Sequence, residues 1–178
     1  MLQDPPQTAA EPVSRWGWHP PVWLATGLGL GYSPVAPGTV GGLWGLPLAW
    51  GLAHVPDVGP IPAVRCQLVL LVILALVCVP IVTLALRRMG AGKDPGSVVL
   101  DEIVSIPIVF LGLSVEQVSS PLVLAVGFGL QRLFDITKPP PVRNLETLPE
   151  GLGVMADDTM AGIYGFIAMQ LLLWGGLA

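Results

Sequence analysis

The sequence predicts an all-α integral membrane protein, with about five transmembrane helices and a glycine- and proline-rich re-entrant or interfacial segment ahead of them. Three observations carry this. First, hydrophobic residues make up 53% of the 178 residues and charged residues only 11%, whereas a soluble domain carries about a quarter charged. A mean hydropathy of +0.73 agrees. Such a chain cannot cover a water-facing surface with polar groups, which makes lipid its expected solvent. Second, Cys66 to Leu86 is a run of 21 residues without a charge, the length that crosses a ~30 Å hydrocarbon core as a helix. Third, one orientation satisfies seven of the eight Lys and Arg residues under the rule that basic loops stay cytoplasmic.

The elements follow in chain order. Residues 1–19 hold Asp4, Glu11 and several prolines, with neither a basic start nor an apolar stretch. They read as a flexible, water-exposed tail and not as a signal peptide. Residues 20–178 suffice for a single transmembrane domain. No charge occurs from Pro20 to Ala53, but Pro34, Pro37 and Pro47 interrupt the stretch. It divides into a Gly/Pro-rich segment, 22–39, and a helix near 40–54. Non-helical backbone at membrane depth is tolerated only inside protein or beside a polar cavity, so the first piece points to a site. Cys66–Leu86 is the clearest span and ends at Arg87-Arg88. Asp94-Pro95-Gly96 signals a turn. Ser97 is a candidate cap for a helix near 98–114 with Asp101 and Glu102 in its first turn. After a polar break at 114–120, Pro121 opens a helix that reaches about Asp135. A proline-rich polar loop, 136–152, leads to the last span, 155–177, with Asp157 and Asp158 at its start and one of them a candidate N-cap.

The basic residues orient these spans. Arg87, Arg88 and Lys93 place the 87–97 loop in the cytoplasm, Lys138 and Arg143 place the 136–152 loop there, and Arg15 places the N-terminus there. Only Arg65 falls on the far side. The topology has a chemical consequence. Asp101, Glu102, Arg132, Asp135, Lys138, Asp157 and Asp158 all come to the cytoplasmic ends of helices, together with the segment Ser33–Thr39.

Ionisable groups at the edge of a span are costly and mark function more often than structure. Singly, each has an ordinary explanation, as a helix-end charge or a snorkelling base. Five carboxylates at one membrane face do not, because they repel unless cations join them. Hard oxygen ligands suit Mg²⁺, and Arg132, Lys138 and Arg143 supply donors fitted to phosphate oxygens. Arg132 and Asp135 lie three apart, on one helix face. Carboxylates, a hard metal and basic clamps form a phosphoryl-transfer set. The small-residue pairs Gly38/Gly42, Gly41/Gly45 and Ala161/Gly165 predict close helix packing. Gly38 and Thr39 are also open to anion binding through backbone N–H groups. Other chemistries are disfavoured. A net charge of -4 without a basic stripe gives no nucleic-acid footprint. Cys66 and Cys78 lack the spacing of a disulfide framework or a zinc site.

The chain resembles the phosphatidylglycerophosphatase A family of bacterial inner-membrane lipid phosphatases. The resemblance rests on Ala25-Thr26-Gly27-Leu28-Gly29 and Ser33-Pro34-Val35-Ala36-Pro37-Gly38-Thr39, then Gly96-Ser97-Val98-Val99-Leu100-Asp101-Glu102. It continues with Arg132-Leu133-Phe134-Asp135-Ile136, Lys138-Pro139 and Arg143, and with Gly151-Leu152-Gly153-Val154-Met155-Ala156-Asp157-Asp158 followed by Ala161-Gly162. These blocks stand in the family's order over roughly residues 20–175. The resemblance implies Mg²⁺-dependent removal of the terminal phosphate from phosphatidylglycerol phosphate, a phospholipid substrate, by a multi-pass enzyme whose site faces the cytoplasm. It implies that Asp101, Glu102, Asp135, Asp157 and Asp158 are metal or catalytic residues and that Arg132 and Lys138 hold phosphate. Three places depart from the family's pattern. Lys138-Pro139-Pro140-Pro141 stands where the family has Lys-Pro-Trp-Pro. Pro149-Glu150-Gly151 stands where His-Gly-Gly is frequent, and Ser105 where glycine is common. The only histidines, His19 and His54, are remote from the acids, so water or a carboxylate is the expected nucleophile. The competing class is an ion or small-solute transporter using the acidic cluster. It is disfavoured by the one-sided placement of the acids and the lack of an inverted repeat.

Overall fold

The computed structural model describes residues 19–90, 95–145 and 147–177. The expected tail, apart from His19, and the Lys93-Asp94 part of the expected turn lie outside them. The described residues form no strand, only an isolated bridge between Val58 and Ile61. The helices are α1 (Pro20–Ala25), α2 (Pro37–Gly42), α3 (Gly45–Ala53), α4 (Ala63–Met89), α5 (Leu100–Val109), α6 (Val115–Val118), α7 (Pro121–Thr137), α8 (Val142–Leu145) and α9 (Glu150–Trp174), with a 3₁₀ turn at Leu30–Tyr32. An all-α fold is thus as expected. Among the described residues one helix, α4, is long and apolar enough to cross a membrane.

Several boundaries differ from expectation, each for a physical reason. The helix expected at 40–54 is two pieces, α2 and α3, parted at Leu43-Trp44. The span expected at 66–86 extends to 63–89, closed by Gly90 in the left-handed region at φ 57°, which glycine adopts without strain. The helix expected at 98–114 is only Leu100–Val109. At ~1.5 Å per residue it reaches about 15 Å, half a hydrocarbon core. Ser97 does not cap it. The N-cap is Val99, which makes no side-chain cap bond, and Ser97 is instead buried under the N-terminal segment. The last helix starts five residues early, at Glu150, so Asp157 and Asp158 lie in its interior and neither is an N-cap. The expected break at 114–120 holds the short α6, closed by a capping box between Ser114 and Gln117.

The short α5 is the hub. It packs against α1, α2, α3, α4, α7 and α9. Small residues make this possible. A Cβ on Gly45 would stand 2.6 Å from Ile106 Cβ, and one on Gly162 would stand 2.7 Å from the Ser105 carbonyl oxygen. At Gly151 it would meet the Val79 carbonyl oxygen at 2.6 Å. α3 and the middle of α9 therefore approach α5, and the start of α9 approaches α4, to backbone distance. Two apolar clusters fill the bundle. One joins Val22, Ala25, Cys78, Val82, Val104 and Met155 around the acidic end. The other joins Ala49, Ile106, Phe110, Val123 and Met169 at the opposite end.

The N-terminal segment is irregular, as its composition predicts, but only partly inside the protein: Ala25, Thr26, Gly27 and Gly31 are buried, whereas Leu28, Leu30 and Val35 are exposed. Gly27, Leu28 and Gly29 have positive φ, and the backbone at Gly31 lies against the Ser97 carbonyl. The Val99 N–H donates to Ala25 O at 2.9 Å. This ties the segment to the start of α5.

Candidate active site

Two helix ends converge on the N-terminal half of a third helix. α5 brings Asp101 and Glu102 in its first turn, α7 brings Arg132 and Asp135 in its last turns and Lys138 as its cap, and α9 brings Asp157 and Asp158. Glu102 and Asp135 share one base. Arg132 Nη1 lies 2.8 Å from Glu102 Oε1 and 3.0 Å from Asp135 Oδ2, so the i,i+3 pairing read from the sequence is present. Lys138 ends α7 at φ 42°. This left-handed turn is strained for a residue with a Cβ, and Lys138 Nζ reaches Asp157 Oδ2 at 2.9 Å. Ala36 at φ 44° and Glu150 at φ 48° take the same conformation just before α2 and at the start of α9. Three of the four strained non-glycine residues thus stand where the chain turns into or out of an element of this site.

Asp158 is buried, 4% exposed like its neighbour Asp157. It shares a side-chain hydrogen bond with Asp135, and the charges of Asp101 and Asp157 act on it. Its Oδ2 is buried without a hydrogen-bond partner. Two carboxylates do not hold each other without a positive charge between them, either a proton or a metal ion. Five carboxyls (Asp101, Glu102, Asp135, Asp157, Asp158) face two bases (Arg132, Lys138), which leaves three negative charges uncompensated when all are ionised. The donor chemistry and the partnerless Asp158 oxygen fit a hard divalent cation. Arg132 and Lys138 hold three of the acids in ion pairs. Among the described residues no three His, Cys, Asp or Glu side chains stand in a chelating arrangement.

The other expected site residues fall nearby. Gly38 lies against the Glu102 carboxylate so closely that a Cβ would overlap it, which makes close packing the role its geometry supports. Thr39 follows in the first turn of α2, half-buried. Arg143 is exposed on α8. That short helix packs on α9, and its loop is pinned where the Tyr164 hydroxyl donates to Pro140 O at 2.8 Å.

Sequence reasoning missed one pair. Gln131 Nε2 donates to Ser105 Oγ at 3.0 Å in the buried seam between α5 and α7. The available signal was a lone glutamine ending the apolar run Pro121–Leu130, since an uncharged polar residue inside a helix bundle tends to bond across helices.

The sequence profile of Phosphatidylglycerophosphatase A matches residues 23–173. The chain belongs to the phosphatidylglycerophosphatase A family. Three relatives are similar to the chain, two of them carrying the family's name. A protein of Bacteroides thetaiotaomicron, named provisionally as a phosphatidylinositol-3-phosphatase, is 36% identical over 86% of this chain and 94% of its own length. Phosphatidylglycerophosphatase A of Escherichia coli K12 is 32% identical over 82% of this chain and 77% of its own. The Haemophilus influenzae protein of the same name is 36% identical over 82% of this chain and 84% of its own. No solved structure matches the chain. As a member of the phosphatidylglycerophosphatase A family the protein is a phosphatase, and the family together with the apolar α4 makes it membrane-associated.

Proposed function

We propose that the protein hydrolyses phosphatidylglycerol phosphate to phosphatidylglycerol and inorganic phosphate, with Mg²⁺, at the cytoplasmic face of a bacterial inner membrane. The observation that carries this reading is the ionic cluster itself. Acids from α5, α7 and α9 converge around Arg132 and Lys138 at one end of the bundle. The multi-pass topology belongs to the same proposal. α2 with α3, α4, α5 with its following turn, α7 and α9 would make the five crossings, with Arg87, Arg88 and Arg143 on the cytoplasmic side.

The division of labour follows from chemistry. Asp101, Glu102, Asp135, Asp157 and Asp158 would hold the Mg²⁺, which supplies charge neutralisation and acidifies bound water. Arg132, with Nη1 kept on Glu102, offers its remaining N–H groups to phosphate oxygens when the headgroup arrives, and Lys138 adds a point charge. Their present ion pairs hold both bases at the right depth. Asp158 Oδ2, buried without a hydrogen-bond partner, would take the proton from an attacking water. In the balanced reaction the water oxygen bonds to phosphorus, the phosphorus–oxygen bond to glycerol breaks, and the glycerol oxygen takes up a proton. Burial of Asp101, Asp157 and Asp158 lowers the local dielectric and strengthens their hold on a cation.

The test is phosphate release from phosphatidylglycerol phosphate by detergent-purified protein, with Mg²⁺, with excess EDTA, and with Asp101→Asn. The expected result is release that stops with EDTA and falls at least about a hundredfold in the variant. Phosphatidylinositol 3-phosphate run in parallel separates the two headgroups named for the relatives. Folded wild type that releases phosphate from neither lipid overturns the reading, and ion flux in liposomes then becomes the assay.

A further inference from the structure

α7 grips residue 102 twice. Arg132 Nη1 holds the Glu102 carboxylate at 2.8 Å. One residue earlier, Gln131 Nε2 donates to Ser105 Oγ at 3.0 Å, and Ser105 Oγ donates to the Glu102 backbone carbonyl at 3.1 Å. A serine hydroxyl has one proton. With that proton directed at the Glu102 carbonyl, its lone pairs are left for Gln131, so the relay runs one way. Gln131 is 0% exposed and Ser105 is 1% exposed. The geometry leaves Gln131 Oε1 buried without a hydrogen-bond partner, and such an orphaned acceptor costs stability. An apolar side chain of similar length would fill the same seam without that cost. Stability alone therefore does not account for the glutamine.

We infer that Gln131 and Ser105 are positioning residues, fixing the height and rotation of the first turn of α5 against α7 so that Glu102 and Asp101 stand in register with Arg132. The relay fixes the Glu102 backbone and Arg132 fixes its carboxylate, so residue 102 has neither a free peptide nor a free side chain to drift. Neither Gln131 nor Ser105 touches the substrate. This inference rests on the phosphatase reading of Glu102 and Arg132.

The experiment uses full-length protein in detergent, as wild type, Gln131→Met, Ser105→Ala and the double variant. Three quantities are measured: kcat and KM on phosphatidylglycerol phosphate, the thermal midpoint, and amide hydrogen exchange of residues 100–105. The expected result is a fall in kcat of about ten- to a hundredfold in each single variant, with KM within about twofold. The midpoint of Gln131→Met does not fall, residues 101–105 exchange faster, and the double variant is no slower than the slower single one because the two groups act as a unit. Wild-type kcat in Gln131→Met overturns the inference, as does a loss that follows a lowered midpoint or multiplies in the double variant. If wild type itself releases no phosphate, the phosphatase reading fails separately. The exchange data still decide whether the relay fixes α5, and unchanged exchange in Gln131→Met and Ser105→Ala overturns it. Should Gln131→Met fail to fold, Ser105→Ala carries the same comparison.

Discussion

At the scale of single residues, the site is built from side chains whose partners leave them little freedom. Arg132 serves two carboxylates from one nitrogen, at 2.8 and 3.0 Å. Lysine keeps the charge but not the planar fork. Arg132→Lys is therefore expected to retain the fold and lose activity by about ten- to a hundredfold, the scale of one charge-assisted hydrogen bond of ~1.5–3 kcal/mol. Phosphate release and a melting curve on the same preparation check this. Gly38 is the second test. A methyl group there overlaps the Glu102 carboxylate, and overpacking of this kind costs about 1–3 kcal/mol. Gly38→Ala is expected to push Glu102 off Arg132 and to lower activity at least about tenfold. Near-normal activity would separate Gly38 from the site.

At the scale of elements, the approach of α9 to α4 is set by one glycine. Gly151 has no room for a side chain, and its N–H is engaged. It donates to Thr83 Oγ1 at 3.2 Å, and an added Cβ would meet Val79 O at 2.6 Å and Thr83 N at 2.7 Å. Because backbone cannot move aside as a flexible side chain does, Gly151→Ala is expected to destabilise the protein by about 1–3 kcal/mol. Gly51, inside α3 with nothing within 4 Å of its added Cβ, is the contrasting case. There the helix gains what glycine loses, so Gly51→Ala is expected to be neutral or stabilising by up to ~1 kcal/mol. Thermal midpoints of the two variants in one detergent should move in opposite directions or differ clearly. Equal shifts would mean that α9 does not seat on α4 as described.

At the scale of the whole molecule, orientation decides whether the cluster meets a cytoplasmic headgroup. The five-crossing proposal puts the α6 turn and the α8 loop on opposite sides of the membrane. With Cys66 and Cys78 replaced by alanine, an impermeant maleimide added to intact cells is expected to label Glu116→Cys and not Arg143→Cys. Labelling of both from the outside would remove the proposed topology.

The sequence by itself determined the helical class of structure and the family, and it picked out the residues that gather in the ionic cluster. Its charge-poor composition makes helices the expected answer, because a helix satisfies every backbone group within one segment. The acidic and basic positions were legible because an ionisable group beside apolar runs is costly and because Arg132 and Asp135 are separated by one helical turn. Tertiary structure decided what depends on distance between segments. Neither the pairing of Glu102 with Arg132, nor that of Lys138 with Asp157, nor the Gln131–Ser105 relay has a local spacing to announce it. Each joins residues at least 19 positions apart. The shortness of α5 was also hidden, since apolar residues continue past Val109 while the backbone turns at Phe110–Gly112. A hydrophobic run reports which solvent a segment prefers. Where its helix stops, and which glycine lets a neighbour come close, is set by packing around α5 that no single segment encodes.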